Sequence, residues 1–447
     1  MFCQRNVPPP EGAFYLFRGR FIIACYITLK TGLVMNKLKV VTKTLALALA
    51  ASTFTFAALA DGAPKFLGNT TTFGEIPEDY GAYWNQITAE NECTWNFVEE
   101  ERGVYDFSAC DAVFNWAKDH KAQFTYHALI WGSHNPEWLS RLDSAETKTA
   151  IVEWLDAVAE HYPDLEMIEV VNEAVKSEAS GYHSGFARYK IVEALGGDNG
   201  DYKFVATAFR MARERWPNAI LIYNDYNTIL WQKAEGIDLV KKVRAQGGPI
   251  DAYGMQFHET YAQGSTSSCI PAATLKNALQ EAYEQTGGTP IYITQYDVGT
   301  EDDQLQKSCY ETHMPVLMES EYVSGVTLWG YVYGKTWTTN GNSGIIKDGI
   351  DRPAMTWLKE YFAENYPYTP LGPEEPSAIA QNLYLSPNTL QKFELYNARG
   401  VRLGVFTAHG FESAVQMLRN SSALKPSGVY YLRSRVTGKM QSVRISK

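Results

Sequence analysis

A chain of 447 residues has room for one large α/β barrel, which runs to about 250 residues as a single domain, and for a small appendage besides. The formal net charge of -10 argues against nucleic acid or an anionic membrane surface as the main partner and suits a neutral substrate. Aromatic residues make up 13% of the chain, with 11 Trp and 28 Tyr; most of these are core material, so only rings at strand ends count as evidence for stacking on sugars.

The first recognisable element begins late. After Met35, Lys37, Lys39 and Lys43 form a basic stretch, "TLALALAASTFTFAALA" is an apolar run, and Ala58-Leu59-Ala60 offers a small-x-small cleavage site before Asp61. Residues 35–60 therefore read as an export leader and residues 1–34 as an upstream extension. "FIIACYITL" is alternatively part of an anchor, although neither apolar run clearly meets the ~20-residue span of a membrane helix. The expected location is secreted or at the cell surface of a bacterium.

From 61 to 365 the chain alternates short apolar runs with amphipathic stretches. The strand candidates are "KFLGNTTTF", "NQITAENE", "QFTYHALIW", "EMIEVVNE", "AILIYNDYN", "DAYGMQFH", "PIYITQYDV" and "SGVTLWGYV". Between them, "TKTAIVEWLDAVAEHY", "FVATAFRMARERW" and "LKNALQEAYEQTG" repeat apolar residues at three and four, the period of a helix. Eight repeats favour a closed (β/α)8 TIM barrel over an open sheet.

Nearly every strand candidate ends in polar or aromatic residues: Glu90 and Asn91, His127 and Trp131, Asn172 and Glu173, Asn224 and Asp225, Gln256 and His258, Gln295 and Asp297, Trp329. In a barrel these ends converge on the face that carries active sites. Glu173, after the apolar run "MIEVV", is a candidate acid; alone, it would read equally well as a carboxylate in the first turn of a helix. Glycoside hydrolysis needs a second carboxylate from another strand, yet the central polar residue of "PIYITQYDVG" is the amide Gln295.

Residues 366–382, "YPYTPLGPEEPSAIAQN", form a linker rich in Pro and small residues. Residues 383–447 are basic and strand-like, with turns at Ala398-Arg399-Gly400 and Thr437-Gly438-Lys439, and read as a small β-sandwich. Cys3 and Cys25 precede the cleavage site, which leaves Cys93, Cys110, Cys269 and Cys309 in an oxidising compartment. Four cysteines permit three pairings. The sequence-local one, Cys93 with Cys110 and Cys269 with Cys309, would tie each strand-end loop to a nearby helix start; free buried thiols are the other reading. No C-x-x-C spacing or His/Cys cluster points to a metal, and no cofactor is implied.

"TAENECTW", "HALIWGSHNPEW", "VVNEA", "YNDYN", "GMQFH", "ITQYD" and "TLWGY", in this order, resemble glycoside hydrolase family 10, the retaining endo-β-1,4-xylanases. The resemblance implies xylan or xylo-oligosaccharides as partner. It implies Glu173 as general acid/base, with Asn172 beside it on the sugar at the cleavage site. Glu90, Asn91 and His127 become sugar contacts, Trp131, Trp329 and Trp337 aromatic walls, and Asn224 a further substrate-facing residue. Gln256 and His258 line the same site, with Asp297 supporting the nucleophile position through His258.

Two positions depart from the family pattern: Gln295 stands where the nucleophilic Glu belongs, and Thr94 where a Lys usually reaches the sugar. An amide keeps the carboxylate's shape but is a poor nucleophile without charge, so binding should persist while the covalent step fails. It also removes one source of upward pressure on the pKa of Glu173. Asp297 lies about 6 to 7 Å further along the strand, too far to attack the same carbon. The expectation is a xylanase scaffold with greatly reduced activity; the alternative is a xylan-binding pseudoenzyme. The C-terminal "FELYNARGVRLG" and "LKPSGVYYLRSRVTGKMQSVRISK" resemble the sorting domains of type IX secretion, which implies the export machinery as a second partner. The rival, a carbohydrate-binding sandwich, is disfavoured because the segment has no Trp.

Overall fold

The computed structural model describes residues 57–177, 181–368, 390–397, 402–420, 427–434 and 440–446. The expected extension 1–34, the expected leader 35–60 except its last four residues, and all but the start of the expected linker 366–382 lie outside the described residues.

Eight parallel strands build the main body: β1 (Phe66–Thr70), β2 (Gln86–Thr88), β3 (Gln123–Tyr126), β4 (Met167–Asn172), β5 (Ile220–Asp225), β6 (Ala252–Met255), β7 (Ile291–Tyr296) and β8 (Val323–Leu328). Their order is β3-β2-β1-β8-β7-β6-β5-β4, and pairing of β3 with β4 closes the barrel. The helices that cover it are α1 (Ser108–His120), α2 (Ser144–His161), α3 (Lys203–Arg215), α4 (Lys233–Ala245), α5 (Ala272–Gln285), α6 (Asp303–Glu319) and α7 (Pro353–Asn365). The β1–β2 crossover holds only a 3₁₀ turn, Tyr80–Ala82.

Local chemistry explains these elements. Every residue of β4 and β5 is buried, as expected of parallel strands covered on both faces. Helix α2 starts at a capping box in which Asp143 accepts from the first-turn N–H groups and Glu146 reaches back to the cap. Its Ala150, Ile151, Trp154, Leu155 and Val158 face the core at helical spacing. Truncating Leu155 to Ala would cost about 2–5 kcal/mol.

The lumen is filled by Phe66, Met167, Ile220, Ile222, Ala252 and Tyr292. Phe66 stacks on Tyr292 with centroids 5.9 Å apart, and lies so close to Gly325 that a Cβ there would meet the ring at 2.2 Å. The pairing register slips between Glu169 and Val171 on β4, and between Ile293 and Tyr296 on β7. Each irregularity breaks the two-residue alternation. Glu169 and Asn172, three apart, therefore both find lumen partners, and Gln295 turns to the mouth beside Thr294.

Cys93 is bonded to Cys110, joining the loop after β2 to α1, and Cys269 to Cys309, joining the segment before α5 to α6. Ala60, the last residue of the expected leader, is wholly buried, and the Leu59 N–H donates to the Tyr83 carbonyl at 3.0 Å. Among the described residues no helix is long and apolar enough to cross a membrane.

The C-terminal segment forms one antiparallel sheet in the order β10-β9-β11-β12, from β9 (Leu390–Asn397), β10 (Arg402–His409), β11 (Ser427–Ser434) and β12 (Met440–Ser446). The expected sandwich needs a second sheet. Among the described residues the second layer is instead a helix, α8 (Gly410–Asn420), whose Ala414 and Leu418 join Phe393, Leu395, Ala408 and Leu432. The signal was present in the spacing of Phe411, Ala414, Val415 and Leu418.

Candidate active site

Glu173 follows the last residue of β4 with φ at 61°, a left-handed conformation that a side chain rarely adopts. Its N–H donates to the Asn224 carbonyl at 2.9 Å, and Ser184 Oγ donates to its carbonyl at 3.1 Å. The carboxyl group receives the Trp131 indole N–H on Oε2 at 2.7 Å and the Gln256 amide on Oε1 at 3.2 Å. Burial, then the charge of Asp225, pushes its pKa above the ordinary value, although both donors pull the other way.

Gln256 links this acid to the next strands. Its Nε2 also donates to Asn172 Oδ1 at 3.2 Å, and its carbonyl accepts the Gln295 N–H at 3.1 Å. Asn224 completes the net: Nδ2 donates to Asn172 Oδ1 at 3.0 Å while Oδ1 accepts from Thr294 at 2.6 Å. Asn172 Nδ2 is buried without a partner. A Cβ at residue 254 would lie 2.6 Å from Asn224 Oδ1, so Gly254 leaves room for that amide.

Gln295 is 4% exposed. Its Oε1 accepts from His258 Nε2 at 2.9 Å, while His258 Nδ1 lies 3.0 Å from Asp297 Oδ2. The same Asp297 oxygen takes the Trp337 indole N–H at 2.5 Å. A carboxylate only accepts, so Nδ1 carries a proton, and an Oε1 facing Nε2 requires a second. Burial opposes that cationic ring, but Asp297 and Gln295 raise its pKa on balance, with Glu259 adding to the shift. Asp297 is thus occupied as a support for His258.

His127 sits at the end of β3 with Nδ1 2.6 Å from Glu169 Oε2. Burial disfavours its charge, yet the Glu169 carboxylate raises its pKa. Glu90 and Asn91 follow β2 and are half-buried; burial and then Glu92 push Glu90 up to about 7. Trp329 lies edge-on to His127 at 5.3 Å, and Trp337 is 56% exposed at the rim.

Thr94 and Trp131, both expected in the substrate-binding set, also have partners within the protein. Thr94 is buried, and its hydroxyl donates to the Asn91 carbonyl at 2.7 Å, with Asn96 Oδ1 at 3.0 Å. The ring of Trp131 is covered on one face by His134, whose centroid is 4.2 Å away. Burial and the nearby His127 push His134 down to about 4, so it stacks as a neutral ring.

Sequence reasoning missed the partners that orient these groups. Glu169 was legible only as one more residue of an apolar strand. The hub around Asp225 was missed too: its Oδ1 accepts from His183 at 2.6 Å and the Tyr226 N–H at 2.8 Å, and its Oδ2 from the Val175 N–H at 2.9 Å and the Tyr223 hydroxyl. Among the described residues no group of three or more His, Cys, Asp or Glu is arranged to hold a metal ion.

A model of glycosyl hydrolase family 10 matches residues 47–361. Endo-1,4-beta-xylanase B of Cellvibrio japonicus is 42% identical over 297 residues, covering 66% of this chain and 45% of that protein. Endo-1,4-beta-xylanase B of Neocallimastix patriciarum is 29% identical over 274 residues, covering 60% and 30%. The chain spans less than half the length of these two relatives. Native xylanase 10B of Thermotoga maritima superposes with a TM-score of 0.60 at 22% identity, over 70% of this chain and 99% of that one. Xylanase 10B of Thermotoga petrophila, solved with xylobiose, does so at 0.60 and 21%, over 70% and 98%. At these identities the likeness is one of fold.

Proposed function

The chain belongs to glycosyl hydrolase family 10, and from that premise we propose that it is a xylan-directed, endo-xylanase-type barrel in which retaining hydrolysis is greatly reduced. The carrying observation is the asymmetry of the mouth. Glu173 is half-buried, raised in pKa and held by Trp131 and Gln256, which suits a general acid. The position served by His258 and Asp297 holds an amide. Cleavage with retention needs a carboxylate there to attack the anomeric carbon while Glu173 protonates the leaving oxygen and later deprotonates water. The relatives' names, endo-1,4-beta-xylanases, support xylan as the polymer.

The second reading, a protein that binds xylan without cutting it, is favoured by Thr94. Its hydroxyl is spent on the Asn91 carbonyl and cannot do the work of a long cation. Reducing-end release from xylan by the unaltered protein and by Gln295→Glu separates the readings. A gain of roughly 10³-fold or more on restoring the carboxylate supports the hydrolase scaffold. Substantial activity in the unaltered protein defeats both the reduced-activity and the binding reading. No gain, with calorimetric binding of xylo-oligosaccharides intact, favours binding alone.

We also propose export. The leader-like segment and the bonded cysteine pairs suit an oxidising compartment, and the C-terminal segment resembles a type IX sorting domain. Fusing residues 383–447 to a periplasmic reporter tests the latter, since a reporter that stays in the periplasm counts against it. The mass of the exported protein tests cleavage after Ala60, a residue packed in the core.

A further inference from the structure

Position 295 changes more than reactivity. With Gln295 Oε1 turned to His258, its Nε2 has no partner among the described residues. Asn172 Nδ2 is buried and also unpartnered, while its Oδ1 accepts from Asn224 and Gln256. Gln256 ties both to Glu173, whose carboxyl is held toward its protonated, donating form. The mouth therefore holds three donors, Gln295 Nε2 on β7, Asn172 Nδ2 at the end of β4 and the Glu173 carboxyl directly after it, and lacks the anion that a nucleophile would place there. A single sugar hydroxyl accepts from one or two of them. A carboxylate has acceptor sites for all three and restores the missing negative charge beside His258.

We propose that this set of donors is a binding site for a carboxylate at the end of a sugar chain, and that the ligand is a β-1,4-xylo-oligosaccharide oxidised at C1 to an aldonate. The inference rests on the xylan-directed reading and names the chain end it selects. Gln295 and Asn172 are 4% and 0% exposed, so the carboxylate must arrive on the main chain; a uronic acid branch would bring its own ring into a space closed by protein. Among the charged groups that face the carboxylate, His258 and His127 are each paired with Asp297 and Glu169. Ionisation of Glu173, and of Glu90 on the far side of His127, adds charge that repels it, so binding weakens as pH rises through their ionisation.

Calorimetry at about pH 6 with the unaltered protein compares xylotrionate with xylotriitol, the same open chain without the carboxylate, alongside xylotriose and a glucuronate-branched xylotriose. Xylotrionate is expected to bind roughly tenfold tighter than the alditol or more. Gln295→Glu should reverse that order by placing charge against charge, and Asn172→Ala should erase it, with thermal unfolding checking that both variants fold. Equal binding of aldonate and alditol overturns the proposal while neutral chains that still bind leave the xylan-directed reading standing. Preference for the branched uronate overturns the assignment to C1. Failure of every sugar to bind removes both readings together.

Discussion

The imidazole of His258 grips Gln295, Nε2 to Oε1 at 2.9 Å, with the geometry of a support built for a carboxylate. Its other nitrogen is anchored to Asp297 at 3.0 Å. Replacing Gln295 by Glu therefore adds a second negative partner to the same ring, and the His258 pKa, already raised, is expected to rise further. NMR titration of the imidazole in both proteins measures this. An unchanged His258 titration would rule out the contact.

Glu173 is tuned by opposing neighbours. Trp131 and Gln256 lower its pKa, while burial and Asp225 raise it. In the Gln295→Glu background, where hydrolysis can be followed, the acid must be protonated, so activity is lost as pH rises through its pKa. Trp131→Phe should move that alkaline limb upward and lower kcat by roughly tenfold. Asp225→Asn should move the limb downward. Shifts in the same direction for both would contradict the assignment.

Three histidines are paired with carboxylates and raised in pKa: His127 with Glu169, His183 with Asp225 and His258 with Asp297. Each folded pKa lies above the unfolded value of about 6.5, so each contribution to stability is complete below that pH and fades as pH rises through the folded pKa. Glu173, Glu259 and Glu90 are also raised, the last to about 7, chiefly by burial. Their ionisation above about pH 4.3 costs stability in the same direction. His134 and His313, both pushed down to about 4 by burial, work the other way below about pH 6.5, so melting temperature should fall between about pH 6.5 and pH 8. Glu169→Gln should flatten the slope, and a melting temperature that rises across this interval would refute the balance.

The bond between Cys269 and Cys309 closes 40 residues of separation, and that between Cys93 and Cys110 closes 17. Removing Cys269–Cys309 by a double Ser substitution should cost about 2–4 kcal/mol in denaturant unfolding under oxidising conditions. Under reducing conditions the gap between variant and parent should close. No difference under oxidising conditions would indicate that the pair does not constrain the unfolded chain.

The sequence by itself determined the barrel and the composition of its mouth. Eight apolar runs, separated by helix-period stretches, favour a closed parallel sheet over an open one, and closure gathers the residues after each run. That logic placed Glu173, Gln295, His127, Gln256 and His258 in one mouth. It did not reveal Glu169, whose place inside the lumen depends on an irregular β4–β5 register that no composition encodes. Nor did it reveal the four-bond hub at Asp225, formed with residues up to 50 positions away. Only the tertiary structure decided which polar groups are spent. Thr94 is engaged with Asn91 and Trp131 is stacked under His134, while Asn172 Nδ2 is left open. A side chain's type sets what it can donate or accept, but whether that capacity is already satisfied depends on partners brought together by folding, and it is the unsatisfied remainder that a ligand meets.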